Sequence, residues 1–571
     1  MPSKLAVYVN EDDCFLAWSV SSPIPACRGF AIQRELVRGG KTETSWLPNR
    51  VGFENDHHAD GEQRPSTEWP FRRFTWTDHG TDTGDEVRYR VVPVVRSDAG
   101  ALEPRENLAS PWSERRTLGA HGDSPYEAFF NRGFVMAQFM ARYLRETGKS
   151  LADFKKTISD KDDKTIRRFL SGDLRRQMLD LVSTAKESGD HVYTALFELG
   201  DEELLNALAA LGRRAHVVLA NGSVEKAKGE TSADARERDE NADARKRLRG
   251  ALVDVELHDR FLSPGALGHN KFLVVTDAKE RPRLAWTGST NWTPTGLCTQ
   301  LNNGLLIRDS AVAQLYLDQW HRLRKAGSKF PSELVDENSE PKPIGPNVPG
   351  HIRATVWFSR THRNDDLEAL KAEVSRARES ILFLMFMPGA SGPLGEILQR
   401  SNEPNLYVRG VVSTLPAGRG DESRAEVTLV STEHARSYHF DIIEPQGVAH
   451  PFAYWAEEVT RKQFLGGIGH AIVHSKVIVI DPFSPDPTVI TGSHNFSASA
   501  STKNDENFII VRGDRALAEA YAVNIIGAWQ HYRWRAHITN TDTPWQGLKD
   551  DDGWMAPMLA ADRRELRFWG V

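Results

Sequence analysis

Roughly the first hundred residues carry the two-residue hydrophobic period of β-strands. Along residues 87–92, valine and tyrosine alternate with two arginines, so apolar side chains point to one face and charged ones to the other. Residues 14–19 and 29–34 are further strand candidates, and polar, turn-rich stretches separate these runs. The pattern predicts an all-β sandwich at the start of the chain.

After about residue 126 the pattern changes to amphipathic helices with short apolar strands between them. Helices are predicted over residues 126–147, 165–187 and 202–213, and strands over 192–197 and 216–220. Behind a segment with four prolines the alternation begins again, with strands over 354–358, 380–386 and 406–412 and helices over 365–378 and 395–400. Such alternation indicates parallel strands joined by crossover helices, so we expect two repeated α/β/α halves.

The 571 residues are too many for one hydrophobic core. The predicted units are a β-sandwich over residues 1–118, a first α/β half over 124–338, a Pro-rich linker over 339–350, a second half over 351–540 and a C-terminal tail over 541–571. Residues 223–250 carry many charges of both signs, which is typical of a solvated helix or a mobile excursion. A lid, or an element that steers phosphate, is the alternative for this segment.

The composition is that of an ordinary globular protein, with 40% hydrophobic and 26% charged residues. No apolar run has the length of a transmembrane helix and no secretory signal is visible, so we expect a cytoplasmic protein. A net charge of −6 would not draw the whole protein to nucleic acid or an anionic membrane, although it allows a local basic groove. Cys14, Cys27 and Cys298 are too few for a disulfide framework, and no Cys/His cluster has zinc spacing, so no metal or other cofactor is expected.

One motif occurs in both predicted halves. The copies are His269-Asn270-Lys271 with Gly288-Ser289-Thr290-Asn291, and His474-Ser475-Lys476 with Gly492-Ser493-His494-Asn495. Four apolar residues follow each lysine, and the two histidines lie 205 residues apart while the two serines lie 204 apart. A single His-x-Lys is usually incidental, but two ordered copies inside a repeated α/β pattern are far beyond chance. They indicate a catalytic site, with a decayed, non-catalytic relative as the alternative.

The residue types of the motif suit an anionic tetrahedral group. Residues i and i+2 of a strand point to the same face, so each His-x-Lys places an imidazole beside an ammonium group. The Asn amide and Ser hydroxyl of the following turn add neutral donors. If the two half-sites face each other, one imidazole can attack phosphorus while the other protonates the leaving oxygen. On this basis Ser289, Asn291, Ser493 and Asn495 join the two histidines and two lysines as candidate catalytic residues.

The paired motifs, His-x-Lys-x4-Asp and Gly-Ser-x-Asn, resemble those of the phospholipase D superfamily over residues of about 125–540. The resemblance implies a pseudo-twofold bilobal α/β fold and metal-free phosphodiester chemistry through a covalent phosphohistidine. It covers phospholipases, transphosphatidylases and nucleases alike. The early Trp and late Tyr of the β-rich segment resemble a fibronectin type III-like sandwich.

The first half departs from the family pattern at its acidic positions. Where the second half has Asp481, the first has Thr276 followed by Asp277, so Asp481 joins the candidate set with more weight than Asp277. The second half also has Asn-Asp-Glu-Asn at 504–507, which matches a family Asn-x-Glu element, whereas the first half has Asn-Asn-Gly at 302–304.

The resemblance assigns roles to the histidines. It implies that Glu506 orients His474, and that His269 needs another orienting group or has none. It makes His269 the nucleophile and His474 the acid and then the base. The carboxylate pattern of this chain points the other way, since only His474 has a candidate orienting group, Glu506, but a carboxylate helps a nucleophile and an acid equally, so electrostatics does not decide. Nearby, His470 is interpreted as a packing or supporting histidine, and Trp286, Trp292 and Phe496 as core residues.

Three functions remain open from the sequence. The first and leading interpretation is a metal-independent phosphodiesterase of the phospholipase D type, hydrolysing or transferring a phosphodiester, with phospholipid as the substrate. The second is a nuclease with the same residues, which should show a Lys/Arg track and aromatic platforms, whereas a lipid enzyme should show an apolar rim. The third is a non-catalytic scaffold that binds phosphate-bearing ligands. In each case the N-terminal sandwich is expected to bind a partner or surface.

Overall fold

The computed structural model describes residues 2–56, 62–135, 147–159, 166–250, 253–346, 352–413, 427–431, 439–440, 473–539 and 547–571. The chain forms two compact units. Unit 1 comprises Met1–Ala120, Ile443–Val459 and Glu519–Val571, and unit 2 comprises His121–Ile442 and Thr460–Ala518. A search of the described residues finds no helix that is long and apolar enough to cross a membrane.

Unit 1 is rich in β-structure at its N-terminal end. Its strands are β1 Pro2–Val9, β2 Cys14–Val20, β3 Cys27–Arg38, β4 Lys41–Trp46, β5 Pro48–Asn49, β6 Arg64–Pro65, β7 Thr75–Asp78, β8 Glu86–Arg96, β9 Leu102–Pro104 and β10 Arg116–Thr117. One sheet has the order β1-β2-β7 and another β10-β8-β3-β4 with β9 beside β8, while β5 pairs with β6. Alternate residues of β2, β3 and β8 fill a common buried core, as the two-residue period predicts.

The C-terminal residues pack into the same core. Helices Met555–Ala561 and Arg563–Phe568 lie in the described part of the segment predicted as a tail. The Trp569 ring lies 4.2 Å from that of Phe15, and the Tyr8 hydroxyl donates to the Trp569 carbonyl at 2.8 Å. Both ends of the chain therefore contribute to unit 1, a long-range packing that no local pattern reveals.

Unit 2 contains the repeated halves. Its strands are β11 Tyr126–Phe130, β12 His191–Leu196, β13 Ala215–Ala220, β14 Glu256–Arg260, β15 Lys271–Thr276, β16 Pro282–Gly288, β17 Asn303–Ile307, β18 Lys342–Ile344, β19 Arg353–Ser359, β20 Ser380–Met385, β21 Tyr407–Val412, β22 Val427–Ser431, β23 His439–Phe440, β24 Val477–Ile480, β25 Thr488–Gly492 and β26 Glu506–Arg512. The first half forms a sheet of order β11-β17-β16-β15-β12-β13-β14, and the second β18-β19-β26-β25-β24-β20-β21-β22-β23. Six successive strands thus follow the same order in both halves, which confirms the predicted repeat and the bilobal α/β fold class.

The strand directions are mixed rather than wholly parallel. Strands β12, β13 and β14 are parallel, as are β20 and β21, but β15 to β17 and β24 to β26 run antiparallel to their neighbours. The predicted linker contains strand β18, which pairs with β19 of the second half. The start of the helix predicted over residues 126–147 is wrong, because β11 pairs with β17; residues 136–146 lie outside the described residues.

Helices cover the sheets of unit 2. They are Leu151–Ser159, Ile166–Ser188, Glu202–Ala209, Ser232–Arg236, Ala242–Leu248, Pro294–Cys298, Ser310–Ala326, Ser332–Asn338, Asp365–Ser375, Leu394–Arg400 and Ala498–Thr502, and Arg515–Thr539 passes from unit 2 into unit 1. Short 3-10 turns occur at Glu106–Leu108, Gly133–Val135 and Gly212–Arg214. The helices predicted over residues 165–187, 202–213, 365–378 and 395–400 are confirmed, with ends that differ by a few residues.

Candidate active site

The two His-x-Lys segments enter the site at equivalent strand ends, and each crosses to the other half. Each lysine lies at or directly before the start of an antiparallel strand, β15 or β24, so its histidine lies just outside the sheet. A parallel β-bridge joins Gly268 to Asp505, and an equivalent bridge joins Leu301 to Val473. These bridges lay the residue before each histidine against the segment that follows the Gly-Ser-x-Asn turn of the opposite half.

The crossing pairs His269 with Glu506. The His269 Nδ1 atom lies 2.7 Å from Oε2 of Glu506, whose side chain is fully buried. Oε2 also accepts a hydrogen bond from Ser493 Oγ at 2.9 Å, and Oε1 accepts one from Asn504 Nδ2 at 3.3 Å. The expectation that Glu506 orients His474 is therefore wrong. The bridge at Asp505 brings this carboxylate to the histidine of the first half instead.

His474 has an amide in the corresponding place. Its Nδ1 atom lies 2.8 Å from Oδ1 of Asn302, which also accepts a hydrogen bond from Ser289 Oγ at 2.7 Å. Asn302 Nδ2 donates to the Gly296 carbonyl at 2.8 Å, which fixes the amide with its oxygen toward the imidazole. Asn302 follows Ser289 by the same 13 residues that separate Glu506 from Ser493. The two half-sites therefore share a geometry and differ in one charge.

The lysines lie beneath the histidines against aromatic rings. Lys271 Nζ donates to the His269 carbonyl at 2.7 Å, and Lys476 Nζ donates to the His474 carbonyl. Lys271 Nζ lies 5.0 Å from the ring centroid of Phe197, and Lys476 Nζ lies 4.9 Å from that of Phe386. The same two rings contact the imidazoles, with centroid separations of 4.7 Å to His269 and 4.8 Å to His474. Each half thus supplies an ammonium group and an apolar wall.

The turn glycines allow a close backbone approach. A Cβ atom at Gly288 would lie 2.4 Å from the Asn303 carbonyl oxygen, and one at Gly492 would lie 2.2 Å from that of Asn507. The two asparagines also join the halves, since Asn303 Nδ2 donates to Thr491 Oγ1 at 2.8 Å and Asn507 Oδ1 accepts from Thr287 Oγ1 at 2.6 Å. Sequence reasoning missed these links, because the contacts reach across about 200 residues.

The turn serines support the orienting groups rather than a substrate. Ser289 and Ser493 are fully buried, and each hydroxyl donates to the side chain that holds the histidine of the opposite half. The hydroxyl hydrogen of each serine goes to the orienting side chain, and a hydrogen bond from Ser289 or Ser493 to phosphate stays a prediction. Asn291 and Asn495 differ from them, because the carboxamide oxygen of each is buried without a hydrogen-bond partner in the described structure. These oxygens can only accept, and Asn291 Nδ2 already donates to Glu198 Oε2 at 2.8 Å, so a donor role of the two asparagines toward phosphate stays a prediction.

Asp481 lies at the other end of its strand from Lys476. Its carboxylate accepts backbone N–H bonds from Arg378, Glu379 and Ser380 at 2.7–2.9 Å. Four strand residues, at about 3.3 Å each, separate it from the lysine. These contacts support the turn before β20 and place Asp481 away from Lys476, so its catalytic role stays a prediction that the geometry does not favour. Asp277 has a similar place, since it accepts from backbone N–H groups that follow β15.

Burial and like charges control the protonation of the site. Burial, with the charge of Lys271, lowers the pKa of His269 to about 4 although Glu506 opposes this shift. Burial and the nearby lysines lower the pKa of His474 well below its usual value, and His269 adds to this effect. Burial also lowers the pKa of Lys271 to about 7 and lowers that of Lys476. Burial would raise the pKa of Glu506, but His269 and Lys271 outweigh it, so the carboxylate is ionised. The charges of each half act on the other, so both belong to one site.

The remaining sequence interpretations concern packing. Trp286, Trp292 and Phe496 are buried, which confirms them as core residues, and Cys298 is buried as well. His470 lies outside the described residues. Within the described part of the chain, no group of His, Cys, Asp and Glu side chains could hold a metal ion.

The repeated sheets and the crossed histidine pairs define a two-half α/β protein with one paired His-x-Lys site. The chain belongs to the phospholipase D-like family whose model is described as cardiolipin synthase, PLD-like domain. This model matches residues 178–324 and 370–529, more than half of the chain.

Curated relatives match a short segment. Phospholipase D of Rickettsia felis is 53% identical over 53 residues, which are 9% of this chain and 24% of that protein. Phospholipase D of Rickettsia prowazekii is 51% identical over 53 residues, again 9% of this chain and 23% of the relative. The chain therefore spans about a quarter of the length of these relatives.

Solved structures are similar at low sequence identity. Phosphatidylserine synthase of Haemophilus influenzae is 10% identical, with 70% of this chain and 92% of that chain covered and a TM-score of 0.38. The phospholipase D family member Nuc of Salmonella typhimurium is 19% identical, with 28% and 91% covered and a TM-score of 0.19.

Proposed function

We propose that the protein is a metal-independent phosphodiesterase of the phospholipase D type that acts through a phosphohistidine. One observation carries the proposal. Two buried imidazoles, one from each half, each have a defined Nδ1 partner and an ammonium group from a nearby lysine. With Nδ1 engaged, the Nε2 atom of each ring is the one available for chemistry.

The partners assign the roles. Glu506 accepts from His269 Nδ1–H, so His269 Nε2 carries the lone pair, and a pKa of about 4 keeps the ring neutral above that pH. A neutral imidazole backed by a carboxylate is suited to attack, because the carboxylate stabilises the positive charge that develops on the ring. Both the family resemblance and the hydrogen bonds therefore favour His269 as the nucleophile.

His474 fits the acid. Asn302 carries no charge and accepts from Nδ1–H, so only Nε2 of His474 exchanges a proton during the reaction. The surrounding cations disfavour its imidazolium form, and an anionic phosphodiester would favour that form by supplying the opposite charge. Once it is protonated, an acid with a low intrinsic pKa gives up its proton readily.

The reaction then proceeds in two balanced steps. His269 Nε2 forms a bond to phosphorus, the bond from phosphorus to the leaving oxygen breaks, and that oxygen takes the His474 proton. Water next gives a proton to His474 and attacks phosphorus, and the His269–phosphorus bond breaks. The lysines and the asparagine amides offset the phosphate charge in both steps.

Phospholipid is the substrate class that we propose. The named relatives are phospholipases D, and Met387, which follows the Phe386 ring beside His474, is 46% exposed. An exposed apolar residue next in the chain to the Phe386 ring supports a lipid substrate. A nuclease of the same family is the competing function.

Purified protein should be incubated with phosphatidylcholine vesicles and with labelled single-stranded DNA, double-stranded DNA and RNA, each with and without EDTA. The expected result is release of the lipid headgroup in both conditions, and no release by the His269→Ala protein. Cleavage confined to nucleic acid would assign the competing function. Phosphate binding without turnover of any substrate would indicate a non-catalytic scaffold.

A further inference from the structure

The two halves differ at one more position beside the site. Phe197 and Phe386 occupy equivalent places under the two imidazoles. The residue after Phe197 is Glu198, whereas the residue after Phe386 is Met387. The first half therefore has a carboxyl group where the second has an exposed apolar side chain.

Glu198 contacts a candidate catalytic residue. Its Oε2 atom accepts a hydrogen bond from Asn291 Nδ2 at 2.8 Å, while Oε1 accepts none within the described part of the chain. Burial raises the pKa of Glu198 to about 7 although the charge of Lys271 opposes this shift, and Glu240 raises it further. Glu240 is itself exposed, and its Oε2 atom accepts from the Ser223 backbone N–H at 2.8 Å and from Ser223 Oγ at 3.3 Å, which fixes a second carboxylate whose charge acts on Glu198.

The backbone around Glu198 is fixed on both sides. Asn241, which is 4% exposed, donates from Nδ2 to the Phe197 carbonyl at 2.9 Å and accepts at Oδ1 from the Leu199 N–H at 2.9 Å. On the other side, the Trp292 N–H donates to the Glu198 carbonyl at 3.2 Å. The charged segment of residues 223–250 is thus anchored at the site by Asn241, with Glu240 next to that anchor.

We infer that Glu198, supported by Glu240, is a specificity-determining residue that selects phosphodiesters with a cationic alcohol substituent. The inference deepens the proposed function and rests on it for the location of the phosphate. The lysines of the site bind the phosphate anion, and a carboxylate beside them offers an opposite charge to a neighbouring ammonium group. Met387 offers no such partner, so the selectivity belongs to the first half alone.

Two short-chain lipids test the inference, phosphatidylcholine and the same lipid with the neutral tert-butyl isostere of choline. Calorimetry with the matching non-hydrolysable phosphonates measures binding separately from cleavage. We expect the native protein to favour the cationic member of each pair by about tenfold, the effect of one such charge contact. The preference should decrease as the pH falls below about 7, because Glu198 is then protonated.

Three variants separate charge from position. Glu198→Gln keeps an oxygen that can accept from Asn291 and should lose most of the preference at every pH. Glu198→Met copies the second half and should lose it as well, whereas Met387→Gln is the matched control and should retain it. A preference that survives in Glu198→Gln, or equal binding of both phosphonates by the native protein, would overturn the inference. Selective binding with no cleavage of either lipid would support the subsite and refute the proposed function.

Discussion

The two half-sites of unit 2 have nearly the same construction and different charges. Both present an imidazole at the end of a strand, hold its Nδ1 atom with a side chain of the opposite half, and place a lysine over a phenylalanine ring. The orienting group is a carboxylate, Glu506, for His269 and an amide, Asn302, for His474. The comparison teaches that one substitution can give the two imidazoles of a repeated fold different electrostatic surroundings while the backbone geometry of both halves is kept, and on the proposed mechanism this difference separates the nucleophile from the acid.

The largest expected effect comes from removing each imidazole in turn. His269→Ala should abolish cleavage of every phosphodiester, because no group remains to form the covalent intermediate. His474→Ala should spare a nitrophenyl phosphodiester, since that leaving oxygen needs little protonation, but should reduce cleavage of an alkyl ester by about 10²–10⁴-fold. Steady-state rates with the two esters check this. Equal losses of activity on both esters in both variants would contradict the assignment of one nucleophile and one acid. Activity that survives in both variants would refute the two-histidine mechanism.

Replacing the carboxylate tests the other side of the comparison. Glu506→Gln should lower the rate by roughly 10²–10⁴-fold, because the amide can present an N–H to His269 and impose the wrong tautomer. Asn302→Ala removes the equivalent side chain of the other half and serves as the matched variant. The Asn302→Ala protein should lose activity mainly on alkyl esters, whose leaving oxygen needs a proton. A Glu506→Gln protein with nearly native activity would contradict the assigned role of the carboxylate.

The sequence predicted the repeat and the paired motifs but not the crossing. Local spacing fixes His-x-Lys on one strand face, so the lysines and histidines could be identified directly. The partner of each histidine depends on the bridges at Gly268 and Leu301, which join residues more than 170 positions apart. The equal spacing of Asn302 and Glu506 after their serines is a signal that could have revealed Asn302 as the counterpart of the carboxylate.

Two other groups of candidate site residues make structural contacts in the described chain, for a physical reason. A Gly-Ser-x-Asn turn supplies a hydroxyl, but a fully buried hydroxyl takes the nearest internal acceptor, and here that acceptor is the orienting side chain. Asp481 is part of the family motif, yet the length of its strand separates it from Lys476. Whether a motif residue lies at the site depends on which end of its strand carries it. The amino-acid composition gives no information about this position.

A smaller change should make the halves alike. Asn302→Asp places a carboxylate at His474 Nδ1, which favours the imidazolium form and raises the pKa of His474. If His474 acts as the acid, activity falls as the pH rises through that pKa, so the alkaline limb of the pH–rate profile should move upward by about one pH unit. The profile of Asn302→Asp against the native protein measures this, and an unchanged alkaline limb would show that His474 does not control it.

A substitution outside both half-sites should lower the stability of the protein and leave its catalytic rates unchanged. Trp569 is fully buried within unit 1, and Trp569→Ala should cost about 3–5 kcal/mol of stability there. We expect a lower thermal unfolding temperature, with unchanged rates on a soluble phosphodiester at a temperature where the protein is folded. A chain that starts near Ser124, where the predicted first α/β half begins, would also deprive Trp569 of its contact with Phe15 and should be less stable than the full chain.

Chelation should have the smallest effect. An anionic phosphodiester favours the ammonium forms of Lys271 and Lys476, which then supply positive charge beside both imidazoles, so cleavage with EDTA should match cleavage without it. Activity lost with EDTA and restored by Mg²⁺ or Zn²⁺ would contradict this part of the mechanism.

The most direct test of the unequal half-sites is the location of the phosphoryl group in His474→Ala protein. The protein is mixed with a nitrophenyl phosphodiester, quenched in alkali, which preserves phosphohistidine, and digested for mass spectrometry. The account predicts a phosphorylated His269 that is hydrolysed slowly, and no phosphorylated residue in His269→Ala protein. Phosphate on His474 of the His269→Ala protein, with none on His269 in the other variant, would contradict it.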